Sequence, residues 1–439
     1  MNTVWRKTIV PLVGAIFVTV LLSACGGKSG GSEGPAAQNP PTAEPVTLKF
    51  YLNTVLDDFE KYVNQYVKKK FPHVTLEVVE NKQGSKIQDL IAANDIPDII
   101  WEGLTNLGGG LTELDVPMDL TPLAKKHGFD FSKYDAKIVD SIKSYSPKGE
   151  ILYLPYNVLV FATHYNKDIF DKFGVAYPKD NMTWEELAEL GKRITRKDGE
   201  QQYIGLKPPL NVNRLQTQLS LSYVDAGKEK AALNNDGWKR FFETMKSISL
   251  LTDQFPIKSF GDARTEFLNK RTLGIWPDIL QLQNSDMVAL EKEGLRWDIV
   301  TYPVFKDRPG IGVGVFSDGF VIPKGSKHPD LAFQIIAYLS TDPEVQLGAT
   351  KDGRITALND AKILEHAFEN NEAAKGKNLK AAFSLKYPEP PIASRYDATG
   401  RNIINRKALD YVNNTKDVNT LMREAEEELN KSIAEMNAR

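Results

Sequence analysis

A single cysteine, Cys25, is the only thiol in 439 residues. One cysteine excludes an intramolecular disulfide and any zinc or iron–sulfur site built on cysteine ligands. Histidine is nearly as scarce: His73, His127, His164, His328 and His366 are scattered, with no HExxH-like pair. That pattern argues against a metalloenzyme, and neither a metal site nor a cofactor is expected. An excess of one charge is also missing. With 55 Lys+Arg against 57 Asp+Glu the formal net charge is −2, which gives no general attraction to nucleic acid or to an anionic membrane surface. No P-loop or nucleophile elbow occurs. Gly310, Gly312 and Gly314 form a GxGxG, but a strand-like run comes after them, whereas a phosphate cradle needs a helix N-terminus there. What remains is ordinary for a folded chain: 41% hydrophobic and 26% charged residues, in a length that suggests roughly two or three domains.

The amino terminus differs from the rest. Arg6 and Lys7 precede an uncharged apolar run from Ile9 to Leu22, which leads into Leu22-Ser23-Ala24-Cys25. As a helix that run covers about 21 Å, short of a ~30 Å hydrocarbon core. A basic start, a short apolar core and small residues make an export signal, and the tetrapeptide resembles the bacterial lipobox, whose cysteine is lipidated. Residues 1–24 are therefore read as a lipoprotein signal peptide. Residues 25–45 are read as the lipidated Cys25 followed by a flexible tether: Gly26 to Pro45 holds five glycines, four prolines and no aromatic residue. Such a stretch cannot bury enough apolar surface to offset its ordering entropy, and as a coil it reaches about 25 Å.

From Val46 onward strand and helix patterns alternate, as in an α/β protein. Val46–Leu52 and Val74–Glu80 read as strands, with a helix through Phe59, Tyr62, Val63, Tyr66 and Val67 between them. Pro97–Trp101 reads as a buried strand. Ile151–Asn166 is a long strand-rich stretch interrupted by Pro155. Thr183-Trp184-Glu185-Glu186 is a capping box at a helix start. Leu273–Trp276, Trp297–Pro303 and Phe320–Pro323 complete the strand set, and helices are expected at Pro329–Leu339 and near the C-terminus. Crossings between two sheets are expected at Pro155 and at 310–319, with a third near Gly353–Leu358.

Several motifs in this order resemble one family. Tyr165-Asn166-Lys167-Asp168-Ile169-Phe170, then Gly174, Pro178 and Thr183-Trp184-Glu185-Glu186-Leu187, resembles a stretch of the family 1 extracellular solute-binding proteins of bacterial ABC importers, which include the maltose-binding type. Phe267-Leu268-Asn269-Lys270 is similar to a second family motif, and Gly319–Lys324 with Ser326-Lys327-His328-Pro329-Asp330 to a third. Gly353-Arg354-Ile355-Thr356-Ala357-Leu358 resembles a fourth, with threonine in place of the family's proline. The resemblance spans the chain from about Val46 to its end. It implies a two-lobe periplasmic-binding-protein-like α/β fold, each lobe a mixed β-sheet flanked by helices, with the ligand cleft between the lobes. Lobe 1 is expected over 46–155, with 316–355 returning to it, and lobe 2 over 156–315, with 356–439 returning to it.

The implied function is capture without chemistry. An oligosaccharide is bound by hinge closure and delivered to ABC permease subunits by a monomeric protein. That protein is held on the outer face of the cell membrane by its lipid, in the periplasm where the cell has an outer membrane. A sugar presents C–H patches and a rim of hydroxyls, which aromatic faces and Asn, Asp, Glu or Arg side chains satisfy. Ligand-binding candidates come from the ends of the expected strands: Asn53 with Thr54, Trp101, Glu102, Tyr156 with Asn157, Trp276, Asp278 and Asp318. Arg395 and Tyr396 join them where the family often returns an aromatic residue to the cleft, and Arg395 there would favour an anionic group. No catalytic residue is expected. The alternatives are a tethered carbohydrate-active enzyme, which needs two carboxylates at a set separation in a cleft, and a surface adhesin.

Overall fold

The computed structural model describes residues 44–53, 56–225, 227–250, 254, 256–283 and 286–438. The expected leader, Cys25, most of the tether and Thr54 lie outside them. The first strand, β1 (Val46–Leu52), is rich in β-branched and aromatic residues and is buried over most of its length. It pairs in parallel with β2 (Val74–Glu80) on one side and with β3 (Ile99–Gly103) on the other. The helix between β1 and β2 runs to Lys70 and carries one wider, π-type turn at Glu60–Asn64.

The stretch expected to break at Pro155 forms two strands instead, β4 (Leu154–Val158) and β5 (Phe161–Asn166). Pro155 lies inside β4 because β4 is an edge strand of its sheet, where a missing N–H is tolerated. The chain therefore leaves the first sheet at Leu159 and Val160, a few residues later than the sequence suggested. The second sheet then collects β5, the ribbon β6 (Arg196–Asp198) and β7 (Gln201–Leu206). After a small hairpin of β8 (Val224–Asp225) and β9 (Lys230–Ala231) come β10 (Leu273–Ile279) and β11 (Trp297–Thr301). β12 (Ser317–Val321) returns to the first sheet, inserting antiparallel between β3 and β4. The two five-stranded sheets have orders β2-β1-β3-β12-β4 and β11-β5-β10-β7-β6, both mixed.

The second sheet is covered on both faces. Along β10 and β11 alternate residues point opposite ways: Ile275 and Val300 join the core around Trp184, Trp238 and Phe241, while Trp276 and Ile299 join the core shared with the first sheet. The third crossing also falls later than expected. Ile355, Ala357, Leu358, Ile363 and Phe368 bury with the first sheet, and the amides of Phe368 and Asn370 bond to the carbonyls of Thr350 and Lys351. Only at Asn371, whose side chain donates to Leu282 O, and Asn378, whose amide donates to Asp298 Oδ1, does the chain reach the second sheet's elements. The segment 356–370 thus stays with the first lobe, held there by its aliphatic residues. The helices Asp397–Val412 and Val418–Asn437 then pack on the second core.

Two local devices hold helices of the second lobe in place. The capping box closes as expected: Glu186 N donates to Thr183 Oγ1 at 3.2 Å and Thr183 N donates to the Glu186 carboxylate at 2.8 Å. The helix Asn213–Gln218 is buried at every position. Gln218 at its end donates to Pro303 O (2.7 Å) and Ile311 O (3.1 Å) and accepts from Trp184 Nε1 (3.0 Å). A buried amide satisfied on three sides fixes this helix rigidly between the lobes.

Candidate functional site

Where the ends of β1, β3 and β12 meet the first crossing, a polar cavity of about 270 Å³ opens. The first lobe supplies Asn53, Glu102, Asn106, Asp318 and Arg354; Leu159 and Phe316 come from the crossing segments and Arg214 from the helix of the second lobe. At ~30 Å³ per water this is room for about nine waters, enough for a short sugar or one end of a longer one. A roomier pocket of about 490 Å³ is walled by the crossing segments themselves, chiefly by aliphatic residues such as Val158, Val160, Val313 and Ile355.

Glu102 is the most tightly held polar group at the cavity. Its carboxylate accepts from Gly103 N (2.8 Å), Asn106 Nδ2 (2.8 Å) and Asn53 Nδ2 (2.7 Å), and Asn53 is itself oriented by Asn81 Nδ2 (2.6 Å). Burial pushes the Glu102 carboxyl up, and these three donors pull it part of the way back. Asp318 is raised by burial too, against the attraction of Arg354. The Arg354 guanidinium bridges Asp318 (3.2 Å) and Asp58. From the opposite lobe, Arg214 lies over the rings of Phe316 (4.6 Å) and Phe161 (5.3 Å), with the Asp278 carboxylate 3.7 Å behind Nε. Among the described residues no group of three or more His, Cys, Asp or Glu is placed to hold a metal ion.

Four of the residues singled out from the sequence, Asn53, Trp101, Glu102 and Asp318, line this cavity. Trp101 does so with only 2% of its surface exposed, because its ring packs edge-on against Tyr156 and Phe50 and tilted against Phe320. Asp278 stands one layer behind, as the partner of Arg214. The others are placed elsewhere. Tyr156 is fully buried and its hydroxyl donates to Tyr62 O at 3.3 Å. Trp276 is 1% exposed against His164 and Phe267, because the alternation along β10 turns it into the core shared with the first sheet. Arg395 and Tyr396 are drawn to the last helix, where both donate to Asn437 Oδ1. Arg395 therefore gives the cavity no positive charge.

Sequence reasoning missed Arg214, Arg354 and Asn106 as cavity residues. Arg354 stands in the Gly353–Leu358 motif, which marks the family resemblance but assigns this side chain no role. Arg214 lies in a stretch with no distinguishing pattern, and only the packing of its helix brings it to the first lobe.

Beside the main cavity, and sharing Thr105 with it, a smaller one of about 60 Å³ separates Ser141, Ser144 and Tyr145 of the first lobe from Tyr223, Asp397 and Arg401 of the second. Burial lifts the Asp397 carboxyl to about 7, opposed by hydrogen bonds from Ser394 and by Arg401.

Trp276→Ala removes a buried indole and should cost about 3–5 kcal/mol, read as a large drop in thermal midpoint; an unchanged midpoint with weakened ligand binding would return Trp276 to the cavity wall. Asp397 ionises near pH 4 when unfolded but near pH 7 when folded, so its contribution to stability is present at low pH and lost as pH rises from about 4 through about 7. Asp397→Asn should therefore raise the midpoint at pH 8 and change it little at pH 4; equal shifts at both pH values would contradict this.

Comparison with known proteins adds a family. The profile described as bacterial extracellular solute-binding protein matches residues 57–376. A curated relative, the arabinooligosaccharide-binding protein of Bacillus subtilis, is 24% identical over 77% of this chain and 77% of its own. Among solved structures, the Listeria monocytogenes ABC substrate-binding protein Lmo0181, in complex with cycloalternan, superposes with a TM-score of 0.70 at 18% identity, covering 89% of this chain and 100% of the other. The sugar-binding protein MalE from Xanthomonas citri superposes with a TM-score of 0.67 at 17% identity, over 89% of this chain and 98% of its own. The fold is accordingly the two-lobe periplasmic-binding-protein architecture. By the extent of the profile match and by its architecture, the chain belongs to the bacterial extracellular solute-binding protein family.

Proposed function

We propose that this chain captures an oligosaccharide outside the cytoplasmic membrane and delivers it to the membrane subunits of an ABC importer, tethered through a lipid on Cys25. The observation that carries this reading is a polar cavity walled by both lobes, in which Glu102, Asp318 and Arg354 face Arg214 across the crossing strands. A ligand touching both walls favours whichever lobe arrangement brings them together, and only such two-sided contacts shift the population. A relative named for binding arabinooligosaccharide, and similar folds solved with cycloalternan and mannotriose bound, support a sugar as the ligand. The tether reading is supported by the lipobox-like Leu22-Ser23-Ala24-Cys25 and by the Gly- and Pro-rich stretch after it.

One observation favours a second reading. Glu102 and Asp318 share the cavity closely enough for Asp318 to raise the Glu102 carboxyl, as the two carboxylates of a glycosidase would. Each is, however, already fixed by donors: Glu102 by three, Asp318 by Arg354 and Asn157. That suits hydroxyl recognition better than proton transfer.

Titration calorimetry and thermal shift with arabino-, malto- and manno-oligosaccharides, beside chromatography of the same mixtures, separate the two. Binding without product is expected. A ligand present at 100 times its Kd stabilises by about 2.7 kcal/mol, and Glu102→Gln should weaken it by about 10- to 100-fold; release of shorter sugars overturns the reading. In the cell, Cys25→Ala should move the protein from the membrane fraction to the soluble one, and a variant still bound to membranes would contradict the lipid tether.

A further inference from the structure

Arginine in a ligand cavity usually signals an anion, because its planar fork matches a carboxylate or phosphate. The surroundings of both cavity arginines argue otherwise. Arg354 is already bonded to two carboxylates, Asp58 and Asp318. Arg214 has Asp278 at its back, 3.7 Å from Nε, and Asp278 is in turn fixed by the backbone amides of Leu210 and Ile279. Counting the described charged groups that line the cavity or pair directly with a lining side chain, four carboxylates (Asp58, Glu102, Asp278, Asp318) face two guanidiniums. An incoming anion would meet the Glu102 and Asp318 carboxylates at close range in a partly dehydrated site, where like charges repel far more than in water.

Arg214 nevertheless has unused donors. It is buried with 9% side-chain exposure, and of its N–H groups one bonds to Asn213 Oδ1 through Nη1 at 2.8 Å. Nε is buried and turned toward Asp278, while Nη2 makes no hydrogen bond to a described residue. Phe316 and Phe161 hold the guanidinium plane at the cavity, so the donors are fixed in direction. A fixed, charge-compensated fork with unmatched N–H groups suits oxygen acceptors without charge, such as adjacent hydroxyls or ring oxygens of a sugar.

We propose that the ligand is an electrically neutral carbohydrate, carrying no carboxylate or phosphate, and that Arg214 is the second lobe's specificity-determining contact with it, with Asp278 as its positioning and charge-compensating partner. This inference rests on the sugar-binding reading above and deepens it.

The test uses the full chain from Cys25 onward and paired probes: arabinotriose, maltotriose and mannotriose against trigalacturonate and glucose 6-phosphate, by calorimetry at 20 and 500 mM salt. At least one neutral trisaccharide should bind, each anionic probe at least tenfold more weakly, and the neutral affinity should change less than threefold with salt. Arg214→Lys keeps the charge and removes the fork, so it should weaken the neutral ligand at least tenfold. Asp278→Asn keeps the shape and removes the compensating charge, so it should narrow the preference for neutral over anionic probes. An anionic probe that binds more tightly than every neutral one, or an Arg214→Lys variant with full affinity, overturns the inference while leaving a solute-binding protein in place. Binding of none of the five probes counts against the sugar reading itself and removes the inference with it. Circular dichroism of both variants separates lost contacts from lost folding.

Discussion

Everything at the site depends on β12 lying between β3 and β4. Among the described strands β12 alone pairs with β4, so the strand that leads into the first crossing is held in its sheet by a segment some 160 residues later in the chain, with a bridge from Asn157 to Thr356 on its other side. The fit is close enough that a side chain at Gly319 would place its Cβ 2.3 Å from Leu154 O and 2.7 Å from the Tyr153 ring. Tyr153 completes the joint by donating to Glu102 O and Ser317 O, at 3.0 Å each. A strand inserted this way sets Asp318 beside Glu102 on β3 and Asn157 on β4, so one backbone constraint builds both the scaffold and the acidic half of the cavity.

The charges there arise from that closeness. Buried carboxylates are costly unless donors or cations compensate them, and here each has a partner: Glu102 three amide donors, Asp318 and Asp58 the same arginine, Asp278 two backbone amides and Arg214. The cavity is thus organised before any ligand arrives, which keeps the ordering cost of binding low. Its two lobes meet it with different chemistry. The first offers carboxylates and amides on strand ends; the second offers one guanidinium lying over a pair of adjacent phenylalanine rings.

Much of the fold was legible in the sequence because its signals are local. The strand run Val46–Leu52, the capping box at Thr183 and the proline at the start of Pro329–Thr341 each act within a few residues, and each formed as expected. Boundaries set by distant contacts were less legible. Pro155 reads as a break when only its neighbours are considered, yet an edge position in the sheet accommodates it. The segment 356–370 reads as free to cross over, yet its aliphatic residues are buried with the first sheet.

The sequence by itself determined the type and order of most elements, the scarcity of metal ligands and the motifs by which the family is recognised. All of these are properties of short windows of chain. Only the tertiary structure decided which polar and aromatic residues reach the cavity. Trp276 and Tyr156 look like sugar platforms as residue types, but the pleat and the core packing turn them inward. Arg214 looks like nothing in particular, yet the helix pinned by Gln218 carries it to the opposite lobe. A side chain's role depends on which face it occupies and what lies across from it. Those are facts about residues tens to hundreds of positions apart, which no local pattern encodes.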